Sequence, residues 1–300
     1  MVTSTVTSDE PAVDLGAAAI VFNDVRPRLF GLAYRIVGSA AEAEDVVQDA
    51  WLRWQNCDRT VVENPAAYLS TTTTRLALTV LDSARVRRET YIGPWLPEPV
   101  DTSADPLLGA ERGEALGLAV LLLMEKLGPV ERAAYVLRES FEYPYRDIAR
   151  ILETTEASAR QSVSRAKKRI GDGRTRPVDQ DEHRKLLNAF VDAAQNGNVE
   201  ALTSLFSSDV VSLSDGGGVA GVLAARIPIL GADRVGKFVA SFSSHFWTGA
   251  DVTSMTINGA AAVVLSRDGV PYTVLAIETN VDGIAQILWV MNPSKLTFLR

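Results

Sequence analysis

Apolar residues recur first at helical and later at strand spacing, and the changeover divides the chain. Leu29, Leu32, Ala33 and Ile36 fall at i, i+3, i+4 and i+7, one face of an amphipathic helix. Gly38 ends that helix, and Ser39 with Glu42 three residues on predicts a capping box for the next. The second apolar face is Val46, Val47, Ala50 and Trp51, then Trp54. Asn64-Pro65 opens a third helix, which carries Tyr68, Leu69, Leu76, Val80 and Leu81 on to Arg88. Further helices are predicted over 107–127, 129–141, 145–152 and 156–170, with Gly128-Pro129 as a break and Gly171-Asp172-Gly173 as a stop. Helical stretches at 183–196 and 199–206 follow. Then come short β-rich runs at 210–213, 252–257, 261–266, 273–279 and 284–291, with Asp268-Gly269 and Asp282-Gly283 as hairpin signals. The expected architecture is multidomain: two all-α units followed by an α+β domain.

One stretch fits neither period. Tyr91-Ile92-Gly93-Pro94-Trp95-Leu96-Pro97-Glu98-Pro99 holds three prolines, which lack an N–H and push their predecessors toward extended backbone. Between helical flanks it predicts a stiff docking linker. The expected partition is a disordered tail at 1–16, a helical unit at 17–90, the proline-rich linker at 91–106, a second helical unit at 107–176, a short linker at 177–182 and the α+β domain at 183–300.

Composition narrows the class. Hydrophobic residues make up 47% and charged residues 22%, a globular balance. The net charge of −7 does not advertise nucleic-acid binding, but a local basic surface can sit on an acidic chain. A single cysteine, Cys57, excludes an internal disulfide framework and suits a reducing compartment. Two histidines and one cysteine offer no His/Cys metal set, and no phosphate-binding GxxxxGK[ST] loop is present. The first ten residues do not read as a signal peptide, and no apolar run reaches the ~20 residues of a membrane helix. A cytoplasmic protein without cofactor or membrane partner is expected.

Basic residues concentrate in the predicted helix 156–170. It carries Ser158, Arg160, Gln161, Ser164, Arg165, Lys167, Lys168 and Arg169, followed by Arg174 and Arg176. Read alone, this is a solvated basic face or a phosphate-binding footprint. As the second helix of a helix-turn-helix, its early residues would reach base edges, Arg reading guanine and Gln adenine, and its later ones the backbone. The preceding Tyr145-Arg146-Asp147-Ile148-Ala149-Arg150-Ile151-Leu152, then a Thr cap, resembles the −35-reading region 4 of extracytoplasmic-function (ECF) sigma factors. Those proteins often have Gly where Glu153 stands here.

Ala43-Glu44-Asp45-Val46-Val47-Gln48-Asp49-Ala50-Trp51-Leu52-Arg53-Trp54 resembles sigma region 2.2. The resemblance implies contact with the β′ clamp helices of core RNA polymerase through Asp45, Gln48, Asp49, Arg53 and Trp54, while Trp51 reads better as core. Residues 68–88 resemble regions 2.3–2.4, implying promoter −10 contacts by Tyr68, Arg75, Arg85, Arg87 and Arg88. Tyr68 reads equally as a stacking platform for an unpaired base or as core. Thr71-Thr72-Thr73-Thr74 departs from the family, and four threonines form helix poorly.

The last 115 residues or so resemble the SnoaL-like, NTF2-like cone fold. Three motifs link the chain to the sigma group with such a domain: the proline linker, Asp215-Gly216-Gly217-Gly218, and Asn292-Pro293-Ser294-Lys295-Leu296. Val219 and Ser294 stand where relatives usually carry a basic residue and an acid. Tyr91, Pro94, Trp95 and Pro97 are expected to meet Asp215, Gly216, Gly217 and Gly218 or Asn292, Pro293, Lys295 and Leu296, and so to set the separation of the two DNA-binding units. Asp209, Asp215, Glu278, His245 and Tyr272 are the residues an enzyme on this fold could use, but no spacing singles them out.

The resemblance implies a sigma factor that binds core polymerase and promoter DNA, is not an enzyme, and carries a regulatory C-terminal domain open to a ligand or protein partner. The alternatives are a DNA-binding small-molecule sensor, an NTF2-like pocket enzyme, and a sigma homologue impaired in promoter melting.

Overall fold

Three long helices form the first unit: α1 (Leu15–Val37), α2 (Ala40–Asn56) and α3 (Pro65–Glu89). The computed structural model describes residues 15–103, 117–171, 179–297 and 299. Residues 1–14 of the predicted tail, all of 104–116, and Arg174 and Arg176 lie outside the described residues, while Leu15 and Gly16, assigned to the tail, open α1. Gly38 takes φ +78° after α1, and the Ser39 side chain accepts the Glu42 N–H at 3.2 Å. The Glu42 carboxylate, expected to complete the box, pairs with Arg87 instead. Asn64 caps α3 by accepting the Ala67 N–H at 3.0 Å, with Pro65 in the first turn.

The threonine run does not break α3. Thr72, Thr73 and Thr74 are buried, and the Thr71 and Thr74 hydroxyls donate to the carbonyls of Ala67 and Ser70, each at 2.8 Å. Packing along α1 outweighs the weak propensity of threonine, which amounts to a few tenths of a kcal/mol per residue.

The second unit holds α4 (Leu118–Met124), α5 (Pro129–Glu139), α6 (Tyr145–Ile151) and α7 (Glu156–Gly171). The α6–turn–α7 segment is a helix-turn-helix. Glu153 turns the chain at φ +51°, the Thr154 N–H donates to the Ala149 carbonyl at 2.9 Å, and the Thr155 hydroxyl accepts the Ser158 N–H at 3.1 Å. Ala159, Val163, Ala166 and Ile170 form the buried face of α7. A single apolar core runs from α1–α3 into α4–α7. At the join two guanidiniums are buried: Arg35 lies 5.3 Å from the Phe141 ring, and Arg132 donates to the Arg35 carbonyl at 3.0 Å.

The third unit is a six-stranded sheet with four helices. Its strands are β1 (Phe206–Asp215), β2 (Ile229–Leu230), β3 (Asp251–Ile257), β4 (Ala260–Arg267), β5 (Val270–Asn280) and β6 (Gly283–Val290), in the order β2-β1-β6-β5-β4-β3. Only β1 and β6 pair in parallel; the other neighbours are antiparallel. Alternate residues point to opposite faces. Val263, Leu265, Leu275, Ile277, Ile287 and Trp289 pack against α8 (Gln180–Gln195), α9 (Val199–Ser204), α10 (Ala232–Ser241) and α11 (Ser243–Phe246). Ala262, Val264, Val274, Leu288 and Val290 face the other way, where Leu96, Leu118, Leu296 and Leu299 cover them. Strand β2 and helices α10 and α11 are elements the periodicity reading did not assign. The β3–β4 turn is Asn258-Gly259, with φ +52° and +80°, a further hairpin dipeptide beside the two anticipated.

Candidate nucleic-acid interface

On α7 the residues expected at DNA, Ser158, Arg160, Gln161, Ser164, Arg165, Lys167 and Lys168, are all exposed. Their charges are not equally available. Arg165 and Arg169 both pair with Glu131 of α5, at 2.9 and 2.7 Å, and Lys167 pairs with Glu139 at 3.0 Å. Arg160 pairs with Glu156 and lies 4.3 Å from the Tyr145 ring centroid. Among the described residues Lys168 has no acidic partner. Exposed pairs of this kind are worth ~0–1 kcal/mol, so phosphates can displace them.

Three of the four α3 arginines turn toward the second unit. Arg75 donates to the carbonyls of Ile151 and Arg150 at 3.0 and 3.2 Å, and Arg85 to that of Leu127 at 3.3 Å. Arg88 pairs with Glu125, donates to the Val37 carbonyl at 2.6 Å and lies 3.7 Å over Trp95. Burial pulls its pKa below the usual arginine value. Arg87 is exposed and pairs with Glu42. Tyr68 is half-buried with its ring 5.7 Å from Trp54, so it packs on the core while part of the side chain stays open to solvent.

On α2, Asp45, Gln48, Asp49 and Arg53 share one exposed face. Trp54 does not join them. It is 2% exposed, and its Nε1–H donates to the Ala18 carbonyl at 3.0 Å, so the expected polymerase contact is instead a core residue. Leu52, which the sequence reading passed over, is 46% exposed amid these polar groups, and its i+7 spacing from Asp45 was the available signal. Trp51 is half-buried against Phe22, ring centroids 5.0 Å apart.

The linker, the glycine loop and the C-terminal motif meet at one buried point. Asp215, fully buried at the end of β1, accepts from Lys295 Nζ at 2.7 Å, the Leu96 N–H at 2.8 Å, the Gly217 N–H at 3.1 Å and the Tyr91 hydroxyl. Lys295 also donates to the Leu96 carbonyl and sits 4.3 Å from the Trp95 ring centroid. The Asn292 amide donates to the Tyr91 hydroxyl at 2.8 Å. Gly217 and Gly218 take φ +62° and +70°, and a Cβ on them would meet Asn292 and Ile92. Gly216 lies as close to Ala224. Pro94 and Pro97 hold the segment extended, Pro293 opens the turn bearing Lys295, and Leu296 inserts beneath the sheet beside Leu96. Burial lowers the Lys295 pKa against the opposing pull of Asp215; burial, then Asp215, raises that of Tyr91.

A second attachment had no sequence signal. The Tyr34 hydroxyl donates to the Glu98 carbonyl at 2.6 Å and accepts from the Asn258 amide at 2.7 Å. Asn258 Oδ1 accepts the Val100 N–H at 3.0 Å, and the Thr102 N–H donates to the Thr256 carbonyl at 2.9 Å, so the linker borders the edge of β3. The Glu98 carboxylate accepts from Ser39 Oγ at 2.8 Å and the Ala41 N–H at 3.2 Å, supplying the acid at the start of α2.

The space between the sheet and its helices is filled by rings: Phe190, Phe242, Phe246 and Trp289 lie with centroids 5.2–6.0 Å apart in successive contacts. Asp209 and His245 are exposed, Asp215 is committed to the linker, and the Tyr272 hydroxyl donates to the Phe246 carbonyl at 2.8 Å. Glu278 lines a groove of about 470 Å³ between α8 and the β3–β5 end of the sheet, beside His183, whose Nε2 meets the Ile277 carbonyl at 3.0 Å. Among the described residues no group of three or more His, Cys, Asp or Glu is placed to hold a metal, and no helix is long and apolar enough to cross a membrane.

Comparison with known proteins fits this layout. Residues 21–88 match the Sigma-70 region 2 model and residues 117–170 the Sigma-70 region 4 model. The chain is 35% identical over 294 residues to ECF RNA polymerase sigma factor SigJ of Mycobacterium tuberculosis, covering 92% of each protein. It is 32% identical over 281 residues to the probable ECF RNA polymerase sigma factor SigI of the same species, covering 92% of this chain and 93% of the other. The crystal structure of Mycobacterium tuberculosis SigJ superposes with a TM-score of 0.75 at 30% identity, covering 93% of this chain and 98% of that one. The chain belongs to the ECF RNA polymerase sigma factors, with helical region 2 and region 4 units followed by an α+β domain.

Proposed function

We propose that this sigma factor binds core RNA polymerase through the α2 face of Asp45, Gln48, Asp49, Leu52 and Arg53, and that its C-terminal domain governs promoter engagement by gripping the linker. Region 4 would read the −35 element with Ser158, Arg160, Gln161 and Ser164, and hold phosphates with Arg165, Lys167 and Lys168. Region 2 would engage the −10 element with Tyr68, Arg75, Arg85, Arg87 and Arg88. The protein acts stoichiometrically, in the cytoplasm with the polymerase, and the ring-filled space between the sheet and its helices argues against catalysis there.

The observation that carries this reading is the Asp215–Lys295–Leu96 junction, where the end of β1 and the C-terminal motif close on the linker. The arrangement is a closed one. Elements centred about 25 base pairs apart lie roughly 85 Å apart along a duplex at 3.4 Å per base pair. A compact 300-residue chain has a radius of gyration of about 19 Å. Units sharing one core cannot span that distance, so promoter engagement requires their separation. A ligand or partner would promote it only by binding the open form more tightly.

The test is polymerase-core binding and promoter-directed transcription by the full chain and by Asp215→Ala. Core binding by both, with altered transcription in the variant, supports the reading. Equal transcription from both removes the junction from regulation.

A further inference from the structure

Arg75 engages region 4 through all three guanidinium nitrogens. Nε and Nη2 donate to the Ile151 and Arg150 carbonyls at 3.0 and 3.2 Å, and Nη1 pairs with Glu153 Oε1 at 3.0 Å. Those carbonyls belong to the last turn of α6, whose end lacks intrahelical donors and favours a cation. Glu153 is the acid that stands in the helix-turn-helix turn. At φ +51° it holds a left-handed backbone that any residue with a Cβ adopts at a cost. From there its carboxylate reaches across to region 2. Both side chains remain open to solvent, 44% and 74% exposed.

We infer that Glu153 and the end of α6 sequester Arg75, and that DNA phosphate competes with them for the same guanidinium. The inference rests on the reading of Arg75 as a promoter contact. A phosphate offers the bidentate acceptor that guanidinium matches best, whereas the exposed Glu153 pair is weak and screened by salt. Exchange at Arg75 is therefore easy, unlike at Arg88, which is stacked on Trp95 and paired with Glu125 away from bulk solvent. Arg75 would be bound to region 4 in the closed form and to DNA in the open one. Glu153 then acts as a positioning residue that sets how readily the two units part.

The experiment measures affinity of the full chain for a fluorescein-labelled random-sequence duplex at about 50 mM salt, where phosphate contacts are strongest. Four variants are compared with wild type: Glu153→Gln, Glu153→Gly, Arg75→Ala and Arg75→Ala/Glu153→Gln. Glu153→Gln should tighten binding about two- to fivefold, matching release from an exposed ion pair. Glu153→Gly, which also relieves the left-handed backbone, should match it and so exclude an effect through the turn. Arg75→Ala should weaken binding, and adding Glu153→Gln to it should restore nothing. Unchanged affinity of Arg75→Ala would remove Arg75 from the DNA contacts and with it the underlying reading. A weakened Arg75→Ala with no gain from Glu153→Gln, or with the same gain in both backgrounds, would overturn sequestration alone; an equal gain would mean that Glu153 only repels phosphate.

Discussion

Asp215–Lys295 and the ion pairs along α7 use the same chemistry in opposite settings. At the junction the carboxylate is fully buried, meets four donors, and its cation is flanked by Trp95 and Tyr91. On α7 the cations are about half exposed and each meets a single carboxylate. Removing one partner of a buried pair leaves an uncompensated charge, whereas an exposed pair gives its cation up to any phosphate at little cost. The junction therefore reads as a device for holding and the α7 face as one for exchanging.

The largest test of that contrast is Asp215→Ala, which strands Lys295 and the Leu96 N–H without their acceptor. It should lower stability by about 3–5 kcal/mol, read by urea unfolding of the full chain. Trp95→Ala removes the ring shared by Arg88 and Lys295 and should cost about 2–3 kcal/mol, somewhat less than a fully buried tryptophan. A smaller effect is expected from pH. Tyr91 has a raised pKa, so its contribution is fully present below the unfolded tyrosine value of about 10 and is lost as pH rises from there through its folded value. Lys295, whose pKa is lowered, works in the opposite sense, and buried Tyr34 in the same sense as Tyr91. Tyr91→Phe should flatten the alkaline loss of stability, and the difference from wild type isolates Tyr91. The smallest effect belongs to Glu131→Gln, which frees Arg165 and Arg169. Stability should move by less than about 0.5 kcal/mol while duplex DNA affinity rises modestly at low salt. A Glu131→Gln loss as large as that of Asp215→Ala would break the contrast.

Much of this arrangement was readable in advance because it is local. The i, i+3, i+4, i+7 face of α1, the Asn64-Pro65 start of α3 and the break at Gly128-Pro129 each announce their element within a few residues. Of the residues named in the three motifs, Tyr91, Gly217 and Lys295 meet Asp215, while Leu96, which was not singled out, supplies the backbone contacts. What escaped is long-range. Nothing near Glu98 shows that it caps α2, and nothing near Asn258 shows that it meets Tyr34. The threonine run looked hostile to a helix because propensity cannot register burial against α1. Trp54 looked like a surface anchor because an amphipathic pattern does not say where the apolar face ends. Helix α10 had a signal, Val235, Phe238, Val239 and Phe242 at helical spacing, lost among the surrounding strand patterns.

On the proposed reading the C-terminal domain, through its grip on the linker, fixes the separation of regions 2 and 4. The direct measurement is a distance distribution between spin labels at Cys57, the chain's single cysteine, and at Arg146→Cys on exposed α6, in the otherwise wild-type chain and with Asp215→Ala. One narrow, short distance is expected in the former and a broad distribution with longer distances in the latter. The same narrow distribution in both would contradict it and assign the separation to the core that the two helical units share.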